Sequence, residues 1–141
     1  MTAEAIFNRL YPGTLIAGAL TLLAFLADLP GLWGTVLQEL GRGVAAMAFN
    51  GIAASLGVLV TEEIFLFESF GQTALRLTLL LLPHLALGLL WQRYRWKGGL
   101  AALVEHLVWN QWFSSPYWLI PTIGMAAIYL TLLFHKESLP A

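Results

Sequence analysis

Charged residues divide this chain into long apolar runs: uncharged stretches extend from Leu10 to Ala27, Gly43 to Thr61, Leu77 to Gln92 and Leu107 to Phe134. A helix needs about 20 apolar residues to cross a bilayer core, and tilt or local thinning accommodates a few fewer. The last run is too long for one span. Ser114-Ser115-Pro116 divides it, because the residue before a proline avoids the helical region. The pattern predicts an all-α integral membrane protein of five helices near 10–28, 43–67, 72–92, 98–113 and 117–134, in one domain over 1–141.

The connections are short except between Leu29 and Arg42, where Gly31, Trp33, Gly34, Gln38 and Glu39 suggest an interfacial loop with a brief amphipathic turn. Trp33, Trp91, Trp96, Trp112 and Trp118 fall near predicted helix ends, as an aromatic belt requires. Gly13 with Ala17, and Gly51 with Ser55, are small residues spaced four apart, which permits close helix approach. Placing Arg42, Arg93, Arg95, Lys97 and Lys136 on one side, against Arg9 and Arg76, makes the 92–98 loop and the C-terminus cytoplasmic.

Composition agrees with a membrane setting: of 141 residues, 59% are hydrophobic and 11% charged, against about 25% charged in soluble domains. The net charge of −1 and the short Arg93–Lys97 basic cluster leave no broad basic face for nucleic acid. With no cysteine, thiolate metal sites, disulfides and Cys nucleophiles are excluded. The Leu10–Ala27 stretch is long for a signal-peptide core and lacks a small-x-small cleavage site, so it reads as a retained helix.

Polar groups in apolar runs are costly and mark function. His84 stands nine residues before Arg93 and His106 eight after Gly98, so a hairpin at 93–98 places both imidazoles about 12–14 Å inside the same membrane face. Asn110, four residues after His106, shares its helix face, and Pro83 removes a helical hydrogen bond beside His84. Each histidine also has a plain reading as a satisfied packing residue, and His135 reads as interfacial.

Glu62 and Glu63 admit two readings. Thr61 with the two acids reads as a helix N-cap at the membrane surface; alternatively, one carboxylate is a general base in a polar cavity. Glu68 and Arg76 read as a surface pair or headgroup contacts.

The run Val60-Thr61-Glu62-Glu63-Ile64-Phe65-Leu66-Phe67, and the series Gly88-Leu89-Leu90-Trp91, Gly98-Gly99-Leu100 and His106-Leu107-Val108-Trp109-Asn110, resemble the CAAX-protease and bacteriocin-processing family of glutamate intramembrane proteases over roughly 50–112. The resemblance implies a multi-helix membrane fold and metal-independent peptide hydrolysis without a cofactor. Glu62 would be the base with Glu63 supporting it, His84 and His106 would position water, and Asn110 would stabilise the oxyanion. Phe67 occupies the arginine position of the first motif, and Leu80 stands where a phenylalanine precedes the middle histidine. A straight helix from Arg42 carries Glu62 about 30 Å away from the histidines' side. The groups meet only if that helix breaks near Gly51 or Gly57.

The implied partners are the bilayer and a short hydrophobic or prenylated peptide. Three other readings use the same residues: a non-catalytic subunit packed against a larger membrane complex, a bis-His haem protein using His84 and His106, and a proton path through Glu62, Glu63 and Glu105.

Overall fold

A computed structural model describes residues 2–29, 31–67, 69–112 and 115–135. Among these residues the chain is all-helical: α1 (Ala3–Leu26), α2 (Gly31–Ala48), α3 (Gly51–Phe65), α4 (Phe70–Trp112) and α5 (Leu119–Phe134). Glu68, Ser114 and Lys136 lie outside the described residues, as does the Arg9 side chain. Among the described residues two helices are long and apolar enough to cross a membrane, Glu4–Leu26 and Phe70–Trp112.

Residues 31–42 do not form an interfacial loop. They make up most of α2, which buries Thr35, Gln38, Glu39, Gly41 and Arg42. The run expected as one helix over 43–67 is divided between α2 and α3, and the break has a local cause. Asn50 leaves helical geometry at φ −163° and ψ 131°, and its side-chain oxygen accepts from the N–H groups of Ile52 at 2.8 Å and Ala53 at 3.1 Å. That N-cap satisfies two donors a new helix would otherwise leave open.

A second reversal lies inside α4, where Arg95 takes φ 54° and ψ −134°. His84 and His106 are 22 residues apart in sequence, about 33 Å along a straight helix, yet their ring centroids are 6.1 Å apart. The two limbs of α4, 70–94 and 96–112, therefore fold back on one another. Gly98 permits the tight return, since a Cβ there would run into the Leu90 carbonyl.

The two reversals pack together. Along α2, Thr35 meets Asn110 and Glu39 meets His106, so α2 runs antiparallel to the second limb of α4. Along α3, the Gly51 N–H donates to Gln92 at 2.8 Å and the Ser55 hydroxyl to the His84 carbonyl at 2.6 Å, so α3 runs antiparallel to the first limb. Gly51 and Gly88 sit at the crossing, where a Cβ on either would collide with the other's carbonyl. This is the close approach that Gly51 and Ser55 foreshadow in the sequence. Helix α1 packs on α2 and α3, while α5 packs on α4 alone among the described elements. Ala17, Ala54, Val58, Leu59 and Leu87 form the centre of the core.

Candidate active site

Four reactive side chains sit at matched distances from the two reversals. Glu39 lies eleven residues before Asn50 and Glu62 twelve after it; His84 lies eleven before Arg95 and His106 eleven after it. At 1.5 Å per residue each arm is about 16–18 Å long. Two hairpins of equal reach, packed side by side, bring these groups to one level.

The contacts form a continuous chain. Glu62 Oε2 is 3.2 Å from His84 Nε2, His84 Nδ1 is 2.9 Å from Arg42 Nη2, Arg42 Nη1 donates to Glu39 Oε1, and that same oxygen is 2.7 Å from His106 Nδ1. Trp91 Nε1 donates to the other Glu39 oxygen at 3.0 Å. Arg42, Glu39, His84 and His106 are 0%, 1%, 1% and 2% exposed, so water does not compete for these bonds. Trp109 lies against both imidazoles, with ring centroids 5.3 Å from His84 and 6.1 Å from His106.

Glu62 and Glu63 occupy the last turn of α3, which ends at Phe65. The N-cap reading of Thr61 is therefore overturned. Acids at a helix C-terminus oppose the helix dipole and need partners from elsewhere. Glu63 has Arg76, whose Nε donates to Oε2 at 3.0 Å. Arg76 Nη2 also donates to the Leu66 carbonyl, closing the end of α3. Arg76 is half-buried and pairs with Glu63, so a guanidinium reaches the paired glutamates from α4 although Phe67 stands at the motif's arginine position. Glu62 is left with an imidazole in place of a cation.

A cavity of about 360 Å³ opens beside the cluster, lined by Glu62, Glu63, Arg76, His84, His106 and Asn110, with Leu66, Leu80 and Trp109. A second, of about 240 Å³, shares Glu62, Leu66 and Asn110 and is lined further by Thr35 and Gln38. Asn110 does not orient the His106 ring; its Nδ2 donates to Thr35 Oγ1 at 2.9 Å, leaving one N–H of the amide for another acceptor. All five residues expected from the sequence, Glu62, Glu63, His84, His106 and Asn110, line this one cavity. Glu105 does not.

Glu39 and Arg42 are the residues the sequence reading misses. They appear there as a loop acid and a cytoplasmic-side cation; the structure buries both at the centre of the network. Trp91, expected in an aromatic belt, is 3% exposed and serves Glu39. The spacing carries a signal: Glu39 and Arg42 are i and i+3 on one helix face and neutralise each other.

His84 has both ring nitrogens engaged and Trp109 beside it, which leaves no lone pair on this ring for a haem iron. Among the described residues, no group of three or more His, Asp or Glu is placed to hold a metal ion. No family model matches the chain, and neither a curated protein nor a solved structure matches it.

Proposed function

We propose that this chain is a multi-pass membrane protein that hydrolyses amide bonds in short apolar peptides, in the manner of the glutamate intramembrane proteases it resembles. The observation that carries the proposal is the 3.2 Å contact of Glu62 with His84, at the wall of a cavity that His106 and Asn110 also line. Its volume equals roughly twelve waters and falls within the usual range for ligand sites.

Charge counting supports Glu62 as the base. Glu39 is neutralised by Arg42 and Glu63 by Arg76. Glu62, with a side chain 14% exposed, faces the cavity with the His84 N–H as its partner among the described residues. In this reading, Glu62 takes a proton from a water in the cavity while the water oxygen forms a bond to the peptide carbonyl carbon. The free N–H of Asn110 donates to the oxyanion that develops. Collapse of the tetrahedral adduct breaks the C–N bond, and the proton held by Glu62 passes to the departing nitrogen. Peptide and water thus give a carboxylic acid and an amine, with no metal or cofactor required.

Support for the membrane setting comes from the two long apolar helices, and the Arg93–Lys97 cluster at the α4 reversal fits a cytoplasmic tip. The test uses purified full-length chain in lipid vesicles with a library of quenched apolar peptides. Wild type should cleave members of the library, and Glu62→Gln should lower kcat about 10²- to 10⁴-fold with unchanged thermal stability. Equal cleavage by both proteins, or none by wild type, would overturn the assignment.

A further inference from the structure

The buried Glu39–Arg42 pair does more than neutralise itself. Burying two charges carries a desolvation cost that a pair recovers only with good geometry and further hydrogen bonds. Here the further bonds go to His84, His106 and Trp91. A guanidinium has donors and no acceptor, so Arg42 Nη2 must donate to His84 Nδ1; that nitrogen then carries the lone pair and the ring proton resides on Nε2. A carboxylate only accepts, so His106 must donate from Nδ1 to Glu39, and in the neutral ring the lone pair is then on Nε2.

We infer that Glu39 and Arg42 are positioning residues that hold the two imidazoles in opposite neutral tautomers, His84 protonated at Nε2 and His106 at Nδ1. The rings lie at 74° to one another, 6.1 Å apart, and the fixed tautomers give them different tasks. His84 presents an N–H to Glu62, holding that carboxylate in place as an acceptor. His106 is left with a basic Nε2 in a ring that lines the cavity, the acceptor needed to orient one hydrogen of a water whose other hydrogen goes to Glu62. Without the pair, neither tautomer of His106 is favoured by a partner on Nδ1. The catalytic consequence rests on the peptidase reading; the tautomer assignment does not.

The experiment uses imidazole-¹⁵N-labelled full-length protein in lipid nanodiscs, with His106→Gln and His135→Gln variants to assign the resonances. Long-range proton–nitrogen spectra at neutral pH should show His84 protonated at Nε2 and His106 at Nδ1. The double variant Glu39→Met/Arg42→Leu replaces the pair with apolar groups of similar volume, a change that buried ion pairs tolerate. In it the His106 proton should no longer be held on Nδ1 and the Nε2-protonated form should appear, while His84, still donating to Glu62, stays as it was. Peptide cleavage should fall about 10- to 100-fold, as for the loss of other orienting partners, in kcat with KM unchanged. Wild-type rings sharing one tautomer, or a double variant whose His106 keeps its Nδ1 proton, would overturn the inference. Opposite tautomers in a wild type that cuts no peptide would support it while removing the peptidase reading.

Discussion

The two hairpins that meet at the site are built alike and differ in what they carry. The one turning at Asn50 contributes the acids Glu39 and Glu62 with Arg42; the one turning at Arg95 contributes His84, His106 and Asn110. Neither holds an acid–imidazole contact alone. Each acid finds its imidazole only across the interface, Glu62 with His84 and Glu39 with His106. Segregation has an electrostatic logic: in the fully buried network the formal charges lie on one hairpin, where Arg42 offsets Glu39 within a single helical turn, while the other hairpin supplies neutral donors and acceptors that cost less to bury, its Arg76 pairing with Glu63 outside that network.

This division predicts unequal penalties. Removing one member of a buried ion pair strands its partner and costs about 3–5 kcal/mol, so Glu39→Ala should lower stability by that order in denaturation of the detergent-solubilised protein. His106→Leu on the opposite hairpin removes a neutral donor from a carboxylate that keeps Arg42 and Trp91. It should cost about 1–3 kcal/mol. Comparable losses from the two substitutions would mean that charge is not concentrated as the contacts indicate.

The interface between the hairpins depends on Gly51 and Gly88. A Cβ at position 88 would meet the Gly51 carbonyl and the Ser55 hydroxyl, and the Gly51 backbone cannot move aside without disturbing the Asn50 cap. Gly88→Val should destabilise by about 1–3 kcal/mol, and should weaken cleavage further by separating Glu62 from His84. Gly124 faces no atom within 4 Å of a built Cβ, so Gly124→Ala on α5 is the matched control. In thermal unfolding it should leave stability unchanged or raise it by up to about 1 kcal/mol, through helix propensity.

One hairpin is legible in the sequence and the other is concealed, for a physical reason. Arg93, Arg95 and Lys97 followed by Gly98-Gly99 break an apolar pattern, and counting outward from that break gives the equal depths of His84 and His106. Asn50-Gly51 leaves no mark in hydropathy: it lies inside an uncharged run, so the true helix end enters the sequence reading only as a condition, the break near Gly51 or Gly57 that Glu62 needs to meet the histidines. The charges mislead in the opposite way. Treating Glu39 and Arg42 as marks of a surface loop is sound for isolated charges, but an i,i+3 pair of opposite sign is net neutral and can enter an interior. The paired glutamates, the two histidines and the asparagine stand out in the sequence because polar groups inside apolar runs are costly to bury. What joins them is the packing of the two hairpins on one another, α2 included, which no periodicity in the α3 or α4 sequence contains.

The smallest effects lie at the turns, where the comparison predicts opposite signs. Asn50 stabilises its turn by accepting two backbone N–H groups. Asn50→Ala should therefore cost about 1 kcal/mol, the usual loss for an N-cap. Arg95 holds its turn at a positive φ of 54° with ψ −134°, a conformation that glycine adopts without the steric penalty a Cβ brings. Such backbone geometry costs on the order of 1–3 kcal/mol in a non-glycine residue. Glycine gives back about 0.4–1 kcal/mol through the freer unfolded chain. Arg95→Gly should then raise stability by about 1 kcal/mol in the same denaturation assay that records a loss for Asn50→Ala. The gain should appear without any change in cleavage, since His84 and His106 are each eleven residues from the turn. A loss of stability at both positions would indicate that the Arg95 side chain contributes more to its turn than the backbone geometry takes away.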